Sequence, residues 1–438
     1  MGTTNIQQKD GVLLIQNYQS PRWSAEILDC SMPMTFDTYS VCAFNCLYCF
    51  SFYQKVHSLK GYLQKKVRSV NPEVVKQLFL GALNEDYENM KSWQMQFVPY
   101  IRGRYVMQWG ALADPFDWFE KVFGVTLELM RFFDEIDYPL SFSTKGTFFT
   151  EDERYMEVIR RHKHNWHFKI SVITANEEKA RLIEQGVPSP TERFKAMERL
   201  AKAGIHVTLR LRPYIIGISD DWKEVIDRAV DAGVDSMTTE FFCMEARADK
   251  RVKQRYKEMS QIAGYDIWTF YMKNSPQHGY KRLKREIKEP IITAMREYAH
   301  KKGIRFHSSD AHGRHLQDAP NCCGVPPAWK SQYAHFGTAI LIAKEKGYVK
   351  WSDIAPAIYK LFGHFEWNNA VGYNTGNTKN RALFFGMSMA DWIRWQWNNP
   401  QSGVGLVKMY GHVVEPAGKD ENGDIIYKWV GGKRGKKT

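Results

Sequence analysis

The sequence lacks any run of about 18 apolar residues, the length that indicates a membrane-spanning helix. Its first residues, 1–8, are polar and do not contain the apolar stretch of a secretory signal. Cysteine is scarce: the chain has 438 residues and seven cysteines, which does not indicate a disulfide framework. These absences predict a cytoplasmic protein in a reducing compartment, with no membrane partner.

Acidic residues are too few to balance the basic ones. The chain has 61 Lys and Arg against 48 Asp and Glu, which gives a formal net charge of +13. Excess positive charge attracts polyanions, and nucleic acid is the partner that we expect; a merely basic protein is the alternative. The basic residues are concentrated in three segments, 247–257, 281–285 and 433–437.

Predicted strands and helices alternate through the first part of the chain. The strands are predicted at 34–39, 104–109, 138–143, 166–173, 205–212 and 236–242. The main helices between them are predicted at 71–84, 115–133, 151–162, 190–203 and 221–232. Such alternation produces parallel strands joined by right-handed crossovers. Six units predict an α/β fold, a partial (β/α)6 TIM-like barrel, with functional groups at the C-terminal ends of its strands.

The remaining sequence differs in character from the barrel segment. We divide the chain into an irregular lead-in, the partial barrel, a charged helical extension with a Cys/His loop, and a mixed α+β, Trp-rich C-terminal region: 1–33, 34–244, 245–330 and 331–438. The loop of the third region is predicted at 304–330. The last region is expected to contact substrate, and it ends in a predicted hairpin of strands 406–414 and 425–430 around an Asn-Gly turn, followed by a basic tail.

Three of the seven cysteines form one short segment with the spacing C-x3-C-x2-C. A cubane iron–sulfur cluster has four irons and is usually held by four thiolates. A loop that offers three thiolates leaves one iron able to bind a small chelating molecule. Buried or zinc-bound cysteines are the alternative, but zinc would need a fourth ligand, and no second Cys or His pair follows closely. We therefore predict that Cys42, Cys46 and Cys49 hold a [4Fe-4S] cluster.

This segment resembles the signature of the radical S-adenosylmethionine (SAM) enzymes, including the aromatic Tyr48 before the last cysteine. Four further segments resemble the branch of that superfamily that contains spore photoproduct lyase and "DNA repair photolyase"-like proteins. They are residues 109–120, 143–145, 184–193 and 212–221. The resemblance covers roughly residues 34–242 and implies a radical SAM partial barrel.

The resemblance also implies which residues bind SAM at the ends of the second and third strands. Lys145 would face the carboxylate of SAM, and Ser143 could bond the same group; a solvated surface lysine is the alternative. Trp109 and Gly110 stand where the family supports the methionine amine through backbone groups. Glycine permits such a close backbone approach, although a glycine after a strand also simply makes a turn.

Other residues complete the implied site. Tyr48 would reach the adenine edge through its backbone, and Ser171 would bond the ribose hydroxyls. Arg212 would hold the carboxylate or the adenine, or form a salt bridge inside the barrel. Spore photoproduct lyase places a hydrogen-donating cysteine near the end of its second strand. Residues 109–120 contain no cysteine, so thymine-dimer repair by that route is not expected, and Tyr105 is a weak candidate for a catalytic residue.

The implied chemistry is the one-electron cleavage of SAM by the cluster to a 5′-deoxyadenosyl radical, which abstracts hydrogen from a substrate. It implies an electron donor such as flavodoxin or ferredoxin. The expected substrate is a modified or unmodified nucleobase in DNA or RNA, which would undergo isomerisation, rearrangement or repair-like cleavage in a single strand or after base extrusion. The alternatives are a peptide or small metabolite as substrate, and a nucleic-acid-binding protein with a structural cluster.

Four cysteines lie outside the signature. Cys243, Cys322 and Cys323 could hold a second cluster, but adjacent cysteines rarely serve one cluster, so structural thiols, together with Cys30, are favoured. His307, Asp310, His312 and His315 precede the adjacent pair and would form a polar substrate loop, a metal site or an ordinary polar loop.

Overall fold

The computed structural model describes residues 6–24, 26–54, 66–246, 250–276, 280–330, 335–364 and 386–431. Arg247 and the basic tail, 433–437, lie outside these ranges. The strands, in chain order, are β1 Ile6–Lys9, β2 Val12–Gln16, β3 Arg22–Trp23, β4 Met34–Phe36, β5 Asn45–Cys46, β6 Lys66–Ser69, β7 Met107–Trp109, β8 Leu140–Thr144, β9 Trp166–Ser171, β10 Glu184–Gln185, β11 His206–Tyr214, β12 Ser236–Phe241, β13 Met244–Glu245, β14 Tyr280–Lys281, β15 Arg305–Ser308, β16 Tyr348–Val349, β17 Val414–Lys419 and β18 Ile425–Trp429.

The helices lie between these strands and on the C-terminal side of the barrel segment. The α-helices are Phe50–Gln54, Pro72–Asn84, Ser92–Met95, Val98–Arg102, Trp118–Phe123, Val125–Glu135, Glu153–Arg161, Glu177–Ile183, Pro190–Lys202, Trp222–Asp231, Lys250–Ala263, Ile267–Asn274, Arg285–Lys301, Phe336–Lys346, Ala355–Phe362, Met389–Asn398 and Leu406–Tyr410. None of the helices in these ranges is both long and apolar enough to cross a membrane.

The main sheet has eight strands in the order β15-β12-β11-β9-β8-β7-β4-β3. All neighbours from β4 to β15 pair in parallel, and β3 alone pairs antiparallel, with β4. The two end strands do not pair with each other, so the sheet is open and the barrel is partial. The six predicted strands are confirmed as β4, β7, β8, β9, β11 and β12.

Local signals explain where the barrel helices begin and end. Asn71 caps the helix Pro72–Asn84, since its side chain accepts a hydrogen bond from Glu73 N at 3.0 Å. Ser189 and Glu192 form a capping box at the start of Pro190–Lys202. These interactions fix the connections that return each strand to the sheet.

The structure differs from the sequence predictions in four elements. The predicted loop 304–330 contains a seventh parallel strand, β15, which was missed because its four residues are mostly polar. The predicted helix 115–133 is two helices, because Gly124 has a φ of 71° between them. The lead-in is not irregular, since β1 and β2 form an antiparallel pair. Leu406–Tyr410 is a helix and not a strand.

The C-terminal region forms a small sheet in the order β16-β18-β17 beside helices. The predicted terminal hairpin is confirmed as β17 and β18, with a later start than expected. Its tryptophans were expected to contact substrate, but Trp351, Trp392 and Trp397 are buried, with at most 6% of each side chain exposed. They therefore build the core of this region, as large aromatic residues usually do.

Candidate active site

The cysteine loop, residues 42–49, follows β4 and is held from several sides. Cys42, Cys46 and Cys49 are free thiols; Cys46 is buried and the other two are half-buried. Cys46 lies in the short strand β5, which pairs antiparallel with β10 so that Cys46 faces Glu184. The backbone N–H of Leu47 donates to the carbonyl of Ile183 at 2.9 Å. The three thiols thus lie on a loop whose backbone is already fixed.

Glu184 is the centre of a buried network behind this loop. The hydroxyl of Tyr48 donates to Glu184 Oε1, and Arg193 Nη2 lies 2.6 Å from Glu184 Oε2. Arg193 also donates to the backbone carbonyl of Ser171 on β9 at 2.7 Å. Both Glu184 and Arg193 are almost completely buried. A buried ion pair is strongly destabilised when one partner is removed, so this segment locks the cysteine loop to the sheet.

Two aspartates hold the loop from the other side. Asp117 Oδ2 accepts a hydrogen bond from the backbone N–H of Ala43 at 2.5 Å. Asp114 accepts one from the hydroxyl of Thr144 at 2.6 Å and one from the backbone N–H of Lys145 at 2.7 Å. The segment that contains both aspartates therefore joins the cysteine loop to the C-terminal end of β8.

The cysteine thiols suit an iron cluster better than they suit an empty loop. Burial raises the pKa of Cys46 to about 12, and burial together with Asp117 and Asp114 raises the pKa of Cys42 well above its usual value. Iron binds the thiolate, so loading must release protons. A positively charged group inside the loop compensates for the nearby carboxylates, and sulfur donors select iron–sulfur clusters among metal groups.

Gly110 makes the backbone cradle beside this loop. It follows β7, has a φ of 85°, and donates its N–H to the carbonyl of Phe36 at 2.9 Å. A Cβ placed on Gly110 would overlap the carbonyl oxygen of Ser143 and lie 2.9 Å from Pro115 Cδ. The position therefore requires glycine, as the sequence predicted for a close backbone approach.

The segment after Gly110 wraps around Asp37, a buried residue at the end of β4. Asp37 Oδ1 accepts hydrogen bonds from the backbone N–H groups of Ala111, Leu112 and Ala113 at 2.9, 2.8 and 3.0 Å. Its other oxygen pairs with Arg22 at 2.6 Å. The three amides converge on one carboxylate oxygen, so the turn beside the cradle has a single conformation.

Lys145 provides the positive charge expected near a SAM carboxylate. It follows β8, and its Nζ lies 5.6 Å from the centre of the Tyr48 ring. Among the described residues, no carboxylate pairs with Lys145. Ser143, two residues earlier, accepts a hydrogen bond from Gln108 Nε2 at 2.9 Å. The structure therefore brings Tyr48, Gly110, Ser143 and Lys145 to one end of neighbouring strands.

Comparison with known proteins now identifies the domain. Residues 37–229 match the sequence model of the radical SAM superfamily. The chain is a member of the radical SAM superfamily. No curated protein sequence matches it significantly. Among solved structures, it is similar to spore photoproduct lyase complexed with dinucleoside spore photoproduct, with 16% identity, a TM-score of 0.47, and coverage of 64% of this chain and 77% of that chain. It is also similar to Streptococcus suis SuiB bound to precursor peptide SuiA, with 11% identity, a TM-score of 0.41, and coverage of 65% and 51%.

As a radical SAM enzyme, the chain uses a [4Fe-4S] cluster and SAM, and it needs a reductant. The cysteine loop, the Gly110 cradle and the unpaired Lys145 fit these two groups. The spacing of the three cysteines predicts them as the cluster ligands, and the supports around the loop agree with that prediction.

Inside the radical SAM barrel, the remaining predicted residues line its polar interior. Ser171 is buried and accepts a hydrogen bond from Arg210 Nη1 at 3.3 Å. Arg212 forms an ion pair with Glu240, which is the salt bridge that the sequence left open as an alternative. Burial raises the pKa of Glu240 to about 7, while Arg212 acts in the opposite direction. Lys169, also buried, bonds Gln108.

Two predicted roles change. Tyr105 precedes β7, packs on Tyr100 with ring centres 5.0 Å apart, and so lies at the end of that strand opposite to Gly110. It is not at the site. The Trp109 side chain is fully buried and donates to Thr38 Oγ1 at 3.0 Å, so only its backbone can face SAM.

The adjacent cysteines enter the barrel interior. Gly324 approaches β11 and β12 so closely that a Cβ there would overlap Thr208 Oγ1 and lie 2.8 Å from Ser236 Oγ. The sulfurs of Cys322 and Cys323 are 3.7 Å apart. This segment therefore plugs the barrel, and the question of a second cluster stays where the sequence left it.

The histidine loop is mainly structural in its polar contacts. Lys288 Nζ lies 2.6 and 2.7 Å from the two oxygens of buried Asp310, which also accepts from the backbone N–H of His312 at 3.0 Å. His307 Nδ1 lies 2.8 Å from the carbonyl of Asn321. These bonds tie the loop to the helix Arg285–Lys301 and to the plug.

Sequence reasoning missed the residues that support the site. Asp37, Arg210 and Glu240 carry no spacing signal, because each acts through a partner far away in the chain. Arg255 was interpreted as part of a nucleic-acid-binding segment, but its guanidinium donates to the carbonyl of Cys46 at 2.9 Å. A charged residue at the C-terminal end of a predicted barrel strand is the signal that could have identified Asp37 and Glu240.

Proposed function

We propose that this radical SAM enzyme acts on a nucleobase in DNA or RNA, with hydrogen abstraction leading to isomerisation, rearrangement or repair-like cleavage of lyase type. The observation that carries the proposal is the position of the basic helix Lys250–Ala263 directly against the cysteine loop. The net charge of +13 agrees with a polyanionic partner but does not locate it.

Arg255 fixes this helix to the loop. Its guanidinium lies 3.8 Å from the centre of the Phe52 ring and donates to the carbonyl of Cys46. It also bonds the side chain of Asn45. Other basic residues of the same helix, Lys253 and Lys257, are exposed. A polyanion that binds these lysines would therefore lie beside the reactive centre.

The exposed face of the helix borders a cavity of about 640 Å³ between it and the helix Ile267–Asn274. The cavity is lined by Lys253, Lys257, Tyr256 and Trp268, among others, and Lys253 Nζ lies 5.2 Å from the centre of the Trp268 ring. Cations beside aromatic rings favour single-stranded nucleic acid, since the cations contact phosphates and the rings stack with bases. This composition supports an unpaired strand as the substrate.

When bound, the cluster and SAM supply a 5′-deoxyadenosyl radical for hydrogen abstraction. The chain's own residues do the rest. Lys145 neutralises the carboxylate of SAM, Gly110 admits it to the backbone, and the network of Glu184 and Arg193 keeps the cysteine loop rigid. The buried interior of the barrel excludes water and other hydrogen donors from the radical.

The test is transfer of deuterium from substrate to 5′-deoxyadenosine. The cluster-loaded enzyme is incubated without oxygen with SAM, a reductant and deuterium-labelled DNA, RNA, peptide or metabolite pools in separate reactions. Mass spectrometry is expected to find deuterium in 5′-deoxyadenosine from a nucleic-acid pool, more with single strands than with duplex. Transfer only from the peptide or metabolite pool would refute the proposal, as would transfer from no pool while SAM is still cleaved.

A matched pair of charge reversals tests where the strand binds. Lys253→Glu with Lys257→Glu is expected to weaken strand binding and to reduce the slope of log affinity against log salt by about 2, one for each lost phosphate contact. Lys195→Glu with Lys202→Glu makes the same change in charge on the exposed face of another barrel helix. If both pairs weaken binding equally, the cavity is not the binding site.

A further inference from the structure

A second group of metal-ligating side chains lies at the end of the barrel opposite to the cysteine loop. Asp134 and Asp137 precede β8, and His162 and His164 precede β9. Because these strands are parallel neighbours, the two loops lie side by side. Asp137, His162 and His164 each offer one ligand atom, and these atoms all lie within 4.8 Å of one another, a convergence that no other trio of such residues reaches in the described parts of the chain.

The separate distances describe a small cavity between nitrogen and oxygen atoms. His164 Nε2 lies 2.9 Å from Asp137 Oδ1, and His162 Nδ1 lies 3.4 Å from the same oxygen. Two ligands of a tetrahedral zinc ion, each about 2.0–2.2 Å from it, lie about 3.3–3.5 Å apart. The second pair already has that separation, and the first must open by a few tenths of an ångström.

The hydrogen bonds of His162 leave one nitrogen without a compatible partner. Its Nε2 lies 2.8 Å from Asp134 Oδ1, so this nitrogen carries the proton. Its Nδ1 then presents a lone pair to Asn165 Oδ1 at 3.0 Å and to Asp137 Oδ1. The orientation of Asn165 is fixed, because its Nδ2 donates to Asp137 Oδ1 at 2.8 Å. Lone pairs that face one another repel unless a cation lies between them.

The surroundings of His162 match those of a metal-binding histidine. Such a histidine commonly donates its second ring N–H to a carboxylate, which fixes the tautomer and the ring orientation. Asp134 fills that position. The ring of His162 is also 97% buried by its neighbours, with 3% of the side chain exposed, and stacks on Trp166 with centres 4.2 Å apart. By contrast, His164 and Asp137 are open to solvent and give an ion a path of entry.

We propose that Asp137, His162 and His164 bind a divalent transition-metal ion of the zinc type, with Asp134 as a positioning residue. Imidazole and carboxylate ligands suit zinc, and a solvent molecule or Asn165 can occupy the fourth position. The ion would join the loops before β8 and β9, the strands whose other ends carry Lys145 and Ser171. It would therefore stabilise the barrel from the face opposite to the radical chemistry.

The test uses the cluster-loaded enzyme without oxygen, stripped of adventitious metal and titrated with zinc. One equivalent is expected to bind, to raise Tm, and to show nitrogen and oxygen neighbours, with histidine scattering, in zinc X-ray absorption. This measurement separates the proposed site from zinc on cysteine thiols. A sulfur-containing shell, or no bound zinc, overturns the proposal; in the second case His162 is an imidazolium that donates to both aspartates.

Variants locate the ion. His164→Ala, which changes an exposed side chain, is expected to weaken zinc binding by more than roughly tenfold and to remove the rise in Tm, and Asp134→Asn by about tenfold. His300→Ala is the control, because His300 forms an exposed pair with Asp318 at 2.8 Å without a third ligand. Zinc binding that is equal in the wild type and in His164→Ala overturns the proposal even if the absorption spectrum shows nitrogen and oxygen ligands.

Discussion

Replacing Cys42 by alanine is expected to abolish the absorption of the four-iron cluster in the reconstituted enzyme and to reduce the cleavage of SAM to background. The loop would then offer two thiolates, which cannot hold a cubane in place. The backbone of the loop should keep its conformation, because β10, Asp117 and Arg255 hold it without the Cys42 sulfur. Iron content, visible absorption and 5′-deoxyadenosine measured by chromatography give the result.

The control for this prediction is Cys243→Ala. Cys243 is also a half-buried free thiol, but it lies after β12 and outside the loop. This variant should keep the iron of the wild type and its cleavage of SAM. If Cys42→Ala keeps a four-iron cluster, or if Cys243→Ala loses iron as well, the assignment of the three ligands is wrong.

Gly110→Ala should reduce the affinity for SAM at least tenfold while the cluster still assembles. An alanine at a φ of 85° costs about 1–2 kcal/mol by itself. The added methyl group would also overlap the carbonyl of Ser143, which is backbone and cannot rotate away. The cradle would therefore open, and the backbone groups that face SAM would shift. SAM binding to the oxidised cluster-loaded enzyme, followed by calorimetry, measures the effect.

Gly124→Ala separates the overlap from the backbone cost. Gly124 has a similar φ of 71°, and a Cβ there meets nothing within 4 Å. This variant should lose about 1–2 kcal/mol of stability and bind SAM as the wild type does. Equal SAM affinity in Gly110→Ala and in the wild type would show that the cradle does not contact SAM.

Much of the fold could be predicted because the barrel repeats a local pattern. Each of the six predicted strands is bounded by signals that act within a few residues, such as Asn71 and Gly204 at helix ends. β15 was missed because a strand at the edge of a parallel sheet needs neither length nor apolar residues when β12 supplies the pairing. Leu406–Tyr410 was wrongly predicted as a strand, because an apolar run of that length fits either structure until its packing is known.

The candidate site divides in the same way. Cys42, Cys46 and Cys49 are recognisable because a cluster imposes a spacing on one loop, and Gly110 because the backbone must approach closely. The supports are not recognisable, since Glu184 and Arg193 act together on Tyr48 only after the chain has folded. The Arg212–Glu240 pair likewise joins two strands, and no local pattern could choose it over a SAM contact.

The most direct test of the account is the electron paramagnetic resonance spectrum of the reduced cluster with SAM whose amine nitrogen carries an isotopic label. The central claim is that one iron has no ligand from the protein and binds SAM. It predicts that SAM changes the spectrum and that the labelled nitrogen couples to the cluster spin. A spectrum that saturating SAM leaves unchanged, with no coupling to the label, would contradict it.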